Sequence, residues 1–271
     1  MTIDDNYVRF GGIRRLYGND AYALLPELHI AVVGVGGVGS WAVEALARSG
    51  VGQISFIDHD DVSITNMNRQ LHTLTDTVDK SKVAVMADRV RQINPYCQIT
   101  PIDDFLSLTN LENYLGVGYD YVIDAIDAIK FKAAMIHYCR RNKIPIITTG
   151  GAGGRVDPTQ IQVADLSRTY NDALAAKVRS ALRKEYGFTS NLKRKFDVEC
   201  VFSTEQPVFP KPDGTVCHAK PGVHGATLDC NFGYGSASFI TANFGFIAAA
   251  RAINKSLKRR LAKQGEAQAK C

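Results

Sequence analysis

No two cysteines in these 271 residues stand at CxxC spacing: Cys97, Cys139, Cys200, Cys217, Cys230 and Cys271 are scattered along the chain. That excludes a closed zinc site on paired CxxC ligands and a disulfide framework, and it suits a reducing compartment. A strong charge of one sign is lacking too. Lys and Arg total 32 against 27 Asp and Glu, so the net charge of +5 permits an anionic partner such as tRNA without demanding one. The start, MTIDDNYVRF, has early acidic residues and no apolar run, so it does not read as a secretory signal, and a cytoplasmic location is expected. Residues 230 to 250 are uncharged and about long enough to span a bilayer, but Asn231, Ser236, Ser238, Thr241 and Asn243 make them too polar for confident insertion. A buried segment is expected there, with membrane association as the alternative. Repeats and low-complexity linkers are absent, which favours one continuous domain.

What is present is alternation. HIAVVG at 29 to 34 reads as a strand, 38 to 49 as a helix and QISFID at 53 to 58 as a second strand, closing a βαβ unit. Helices are expected at 81 to 93 and 130 to 142, with strands at 98 to 102, 119 to 126 and 144 to 149. Apolar strands between amphipathic helices predict an α/β fold, a doubly wound, mainly parallel Rossmann-like sheet over 1 to 154 with an N-terminal helical arm. Residues 155 to 271 are expected to add a smaller α+β elaboration, a substrate or dimer region. It reads as a strand at 161 to 166, a helix at 172 to 186, a strand at 200 to 205 and a final helix ending in KSLKRRLAKQ.

Gly34, Gly36, Gly37 and Gly39 sit between strand and helix, where glycine lets the backbone approach a phosphate and the helix N-terminus supplies N–H donors. Asp58 ends the next strand, placed to accept from ribose hydroxyls. An NAD-dependent dehydrogenase fits this much equally well. The downstream run DHDDVSITNMNRQ at 58 to 70, then Lys82 and Asp127, separates the two, because cations aimed at a departing pyrophosphate serve a nucleotidyl transferase and do little for a dinucleotide site. Taken singly, Asp58, Asp60, Asn66 and Asn68 are ordinary turn formers, Lys82 a solvated helix residue and Asp127 a helix cap.

In this order, over Arg9 to about Gly154, the motifs resemble the ubiquitin-activating-enzyme-like adenylyltransferases. The resemblance implies that Gly34, Gly36, Gly37 and Gly39 cradle ATP, that Asp58 holds the ribose with Asp60 beside it, and that Asn66, Arg69, Gln70 and Lys82 meet the phosphates. It further implies that Asp127 binds Mg2+ and that Arg69, Lys82 and Asp127 are catalytic. Relatives carry an early Arg-aromatic-x-Arg element that reaches a neighbouring active site across a homodimer; here Gly11-Gly12 follow Arg9-Phe10, leaving Arg14 or Arg15 as the replacement. RFGGIRRLYG, TTGGAGG, PTQIQVADL and CVFSTE resemble one branch, the tRNA threonylcarbamoyladenosine dehydratases. That branch implies ATP-dependent cyclisation of threonylcarbamoyladenosine in tRNA through carboxylate adenylation, releasing AMP and pyrophosphate. The alternatives are an enzyme activating the C-terminus of a ubiquitin-like sulfur carrier and a sulfur-relay scaffold, with a cysteine desulfurase or sulfur-acceptor protein as partner.

Cys230, in a glycine-rich turn, is the one cysteine with a reactive reading, weighed against a structural thiol; Cys200 reads as packing. His72 and His224 read as structural or surface groups ahead of proton carriers. Lys177, Arg179, Arg183, Lys184, Lys193, Arg194, Lys195 and the run from Lys255 to Lys263 are the candidate tRNA contacts, with solvated helix faces as the plain alternative.

Overall fold

The computed structural model describes residues 5–218 and 234–268. Three short helices, α1 (Asp5–Arg9), α2 (Gly11–Tyr17) and α3 (Asn19–Leu24), form the N-terminal arm. The βαβ alternation follows: β1 (His29–Val33), α4 (Gly39–Arg48), β2 (Gln53–Ile57), α5 (Lys82–Ile93) and β3 (Gln98–Ile102). Then come α6 (Leu111–Leu115), β4 (Tyr121–Asp124), α7 (Ile129–Arg141) and β5 (Ile146–Thr149). The second half adds β6 (Ile161–Asp165), α8 (Ala173–Tyr186), β7 (Glu199–Ser203), a short hairpin of β8 (Phe209–Pro210) and β9 (Val216–Cys217), and α9 (Ser238–Gln268).

Seven strands make one sheet in the order β3-β2-β1-β4-β5-β7-β6, parallel except for the antiparallel edge pair β6 and β7. Side chains alternate between its two faces, as strand geometry requires. In β1, Ile30 and Val32 enter one apolar cluster with α4, α5 and α9, while Ala31 and Val33 enter the other with α6, α7 and α8. Burial on both faces explains why the central strands read as continuous apolar runs rather than alternating ones.

The 119 to 126 strand ends earlier than its apolar run suggested, because the chain turns away after Asp124 to make the rim of the cleft described below. The uncharged stretch has a plain packing role where it is described. Ile240, Phe244, Ala248 and Ala249 of α9 are buried in the cluster shared with α4. No helix among the described residues is long and apolar enough to cross a membrane. The basic end of α9 fastens it to the sheet, with Arg260 on Asp120 and Glu27 and with Arg251 and Lys255 on Glu199.

The strand order reverses between β1 and β4: from β1 the chain winds outward to β2 and β3, then returns to the other side. Loops leaving the carboxyl ends of β1 and β4 therefore diverge, and open parallel sheets bind ligands in the crevice so formed.

Candidate functional site

A cleft of about 1280 Å³ opens at this reversal. Gly34, Gly36, Gly37, Asp58, Asp60, Asn66, Arg69, Gln70, Lys82 and Asp127 all line it, although they are separated by up to ninety-odd positions in sequence. Gly34 has φ of 87°, and a Cβ there would meet Ile126 Cγ2 at 2.9 Å and the Ala125 carbonyl at 3.0 Å. Only glycine combines that left-handed conformation with so close a neighbour. Gly39 is not among the residues lining the cleft; a Cβ on it would lie 1.7 Å from the Gly34 carbonyl oxygen, so glycine there lets the helix start tightly against the turn.

Asp58 is held on both oxygens, Oδ2 accepting from Val35 N–H at 2.6 Å and Oδ1 from Asp60 N–H at 3.0 Å. It thus links the ends of β1 and β2, and each oxygen keeps further acceptor capacity. Asp60 is committed to Lys82, whose Nζ donates to Oδ2 at 2.7 Å. Burial alone would raise the Asp60 carboxyl, but the Lys82 hydrogen bond and charge, with His59, hold it below the usual range. Lys82 is buried to 4% exposure, yet one hydrogen bond uses only one of its three donors.

The 63 to 70 segment is a small built device. Ser63 caps a 3-10 turn over Ile64–Asn66, and Asn66 Oδ1 accepts Ser63 N–H at 3.2 Å, so what Asn66 has left to offer is its amide donors. Trp41 Nε1 and Thr241 Oγ1 donate to the Arg69 carbonyl at 3.0 and 3.2 Å, tying this residue to α4 and α9 at once. The Arg69 guanidinium donates from Nη1 to Thr65 O and Asn68 Oδ1, which leaves Nε and Nη2 as further donors of its fork.

Asp127 is exposed at the opposite rim, and its turn is fixed from below by a pair that the sequence reading passed over. Asp124 and Lys132, 0% and 1% exposed, are joined at 2.9 Å; Lys132 Nζ also donates to Ile126 O at 2.8 Å, and Asp124 accepts from Ile126 N–H at 3.3 Å and Thr148 Oγ1 at 2.6 Å. Both backbone groups of Ile126 are thereby fixed. Burial raises the Asp124 carboxyl, against the opposing pull of Lys132 and Thr148. A lysine on the otherwise apolar face of α7, beside Ala133, Ala134 and Met135, was the available signal. Two further wall residues were also missed: Phe105 and Phe131 pack edge to face at 4.8 Å, and His59 packs on Phe105 at 4.9 Å, giving the cleft an apolar side. On the far side, Asp172 caps α8 and accepts Gly151 N–H at 3.0 Å, anchoring the glycine-rich loop that follows β5.

Other predicted residues fall elsewhere. Arg14 and Arg15 lie on α2 and do not line the cleft; Arg14 stacks on Tyr7, 4.3 Å from the ring centre. Cys230 and His224 lie outside the described residues. His72 is 2% exposed, and Cys200 packs in β7 among buried neighbours, its thiol pushed up by burial. Among the candidate tRNA cations, Arg179 is turned to Thr169 and Arg183 to Thr189 O and the face of Phe196, while Lys255, Arg259 and Arg260 are in ion pairs. Lys177, Lys184, Lys193, Arg194 and Lys195 remain exposed.

Residues 12–268 match the model of the ThiF family. The chain is 55% identical over 258 residues to the tRNA threonylcarbamoyladenosine dehydratase of Escherichia coli K12, covering 95% of this chain and 96% of that protein. It also superimposes on the crystal structure of the E. coli dehydratase in complex with ATP, with TM-score 0.86, 51% identity and coverage of 97% and 99% of the two chains. The same enzyme in complex with AMP gives TM-score 0.86 at 50% identity, covering 96% and 99%.

Proposed function

Because the chain belongs to the ThiF family, we propose that it dehydrates N6-threonylcarbamoyladenosine in tRNA, using ATP to adenylate the threonyl carboxylate. The observation that carries this reading is the convergence of the Gly34 turn, Asp58, Arg69, Lys82 and Asp127 on one cleft, in a chain so close to a dehydratase crystallised with ATP.

The threonyl carboxylate oxygen attacks the α-phosphorus, the bond to the bridging oxygen breaks, and pyrophosphate leaves with the electrons. A nitrogen or oxygen of the adjacent carbamoyl group then attacks the activated carbonyl, AMP departs with the former carboxylate oxygen, and the carbamoyl group releases a proton. The nucleoside has lost one water. Nucleophile and electrophile share one molecule, and good orientation of such a pair is worth roughly 7 to 11 kcal/mol. The protein's task is therefore to activate, orient and keep solvent out.

In this reading the N–H groups after Gly34 and the start of α4 take phosphate oxygens, and Asp58 takes the ribose hydroxyls. Phe105 and Phe131 flank the base. Arg69, Lys82 and the Asn66 amide meet the charge that develops on pyrophosphate, with Gln70 beside them. The donor set suits magnesium, which when bound would neutralise the triphosphate, with the exposed carboxylate of Asp127 as its holder. Asp60 orients Lys82 rather than touching ATP. Neither Arg14 nor Arg15 reaches its own cleft, so a catalytic role for either requires a homodimer. The pairing of β7 with β5 supports reading the core of 1 to 154 and the elaboration of 155 to 271 as one continuous domain in the cytoplasm, where tRNA resides.

The test is incubation with ATP, magnesium and tRNA carrying threonylcarbamoyladenosine, followed by nucleoside mass analysis. The nucleoside should lose the mass of one water, and Arg69→Ala should abolish that loss. An unaltered nucleoside, with pyrophosphate exchange stimulated by a ubiquitin-like carrier instead, would overturn the assignment.

A further inference from the structure

Behind the cation wall of the cleft, one turn gathers four buried polar atoms that have no partner among the described residues: Gln70 Oε1, both ring nitrogens of His72, and Thr73 Oγ1. A buried polar atom left unbonded costs about 1 to 3 kcal/mol, so a cluster of them points to something that bonds them. The turn itself is well made, with Thr73 N–H donating to Gln70 O at 3.2 Å and Thr77 Oγ1 to His72 O at 2.6 Å. Its polar atoms are therefore not the debris of a loose loop. Gln70 connects the cluster to the cleft it lines, its Nε2 lying 3.7 Å from where a Cβ on Gly36 would stand.

Lys82 is the other neighbour. Burial, and then the nearby Lys82 charge, push His72 down to about 4, so its imidazole is neutral at pH 7 and has one donor and one acceptor nitrogen. The Lys82 ammonium has one hydrogen bond, to Asp60, and sits almost fully buried. A buried ammonium needs its remaining donors met.

We propose that Gln70, His72 and Thr73 enclose a small polar pocket holding ordered water, and that this pocket gives Lys82 an uncharged second acceptor, making His72 a positioning residue for ATP. Buried water is stable where two to four polar groups surround it, and three neighbouring side chains offer such groups here. The advantage over another carboxylate is electrostatic: Asp60 orients the ammonium but partly cancels it, whereas imidazole and water orient it and leave its charge for the phosphates. The proposal rests on the reading that Lys82 meets those phosphates.

The experiment is steady-state AMP formation by the full chain with threonylcarbamoyladenosine-tRNA at varied ATP, alongside thermal melting, for His72→Leu, His72→Asn and Lys82→Met. His72→Leu should raise KM for ATP about ten-fold, the equivalent of one hydrogen bond. His72→Asn, which keeps a donor and an acceptor, should stay within about three-fold of the parent, the smaller effect of a bond retained. A dry pocket predicts the reverse: leucine would leave KM unaltered and raise Tm, and that result overturns the proposal. Should the leucine variant fail to fold, Thr73→Val tests the same pocket, and a KM unmoved by it counts against the proposal equally. Unaltered kinetics in Lys82→Met would refute the phosphate reading itself, whereas a Lys82 effect without a His72 effect overturns the pocket alone.

Discussion

Lys82 and Arg260 show two uses of a positive charge in one fold. Lys82, at the start of α5, donates to one carboxylate and otherwise faces the cleft. Arg260, near the end of α9, is divided among Asp120 Oδ1 at 3.0 Å, Asp120 Oδ2 at 2.9 Å and Glu27 Oε2 at 2.9 Å. Arg251 and Lys255 are likewise shared on Glu199, and Arg179 and Arg183 of α8 turn inward. In the second half of the chain, then, much of the basic character fastens helices to the sheet and only part of it, Lys177, Lys184 and Lys193 to Lys195 included, is available to a polyanion. Charge visible in a sequence becomes charge available to a ligand only where the fold leaves donors unmet.

The sharpest way to probe that distinction is to remove a cation whose partner cannot reach water. Lys132→Met should cost about 3 to 5 kcal/mol of folding stability, read from urea melts, because it strands the fully buried Asp124 carboxylate. Lys255→Met, half exposed on Glu199, should cost about 0 to 1 kcal/mol in the same assay. Equal costs for the two would break the contrast.

Next in size is catalysis. Arg69→Ala should lower AMP formation about 100- to 1000-fold, the usual loss when one preorganised donor to a transition state is removed. Arg179→Ala should leave that rate within about three-fold while lowering stability by about 1 kcal/mol, since its bond to Thr169 is internal. Smaller again is tRNA affinity. Reversing Lys193, Arg194 and Lys195 to Glu should weaken binding and reduce the slope of log K against log salt by about 0.9 for each phosphate that is no longer neutralised, with ATP affinity unaltered. An unaltered salt slope removes this segment from the tRNA surface.

The doubly wound sheet and the phosphate turn were legible because their signals are local: apolar runs with turns between them, and glycines at a strand-to-helix junction. Asn66, Arg69 and Lys82 were legible as an ordered motif, and the fold brings them to the cleft with Asp58 and Asp127. What was not legible depends on pairs that no local pattern marks. Asp124 and Lys132 meet only because β4 runs beneath the first turn of α7, and Phe105 meets Phe131 across two connections. The packing role of Gly39 was not legible because a glycine that admits a carbonyl at 1.7 Å from its missing Cβ looks, in sequence, like one that admits a phosphate. The basic run of α9 was read as a surface because its acidic partners, Glu27, Asp120 and Glu199, lie far away along the chain.

The smallest effect tests those α9 partners through pH. Burial would raise the Glu199 carboxyl, but hydrogen bonds and charge from Arg251 and Lys255 outweigh it and hold the folded-state value below that of the unfolded chain. A group depressed in this way contributes stability that is fully present above its unfolded pKa, about 4.3 for glutamate. That contribution is lost as pH falls through the lower folded value, because the native state must then bind a proton it has resisted. Melting temperature should accordingly fall on acidification below that range, and Glu199→Gln should flatten this limb, its cost being largest at pH 7 to 8 and vanishing in acid. Because Arg251 and Lys255 are both partly exposed, the difference should also shrink as salt is raised, as screening of surface pairs requires. An acid limb identical in the two proteins would mean that α9 is held by its apolar face alone, with its cations free for another ligand.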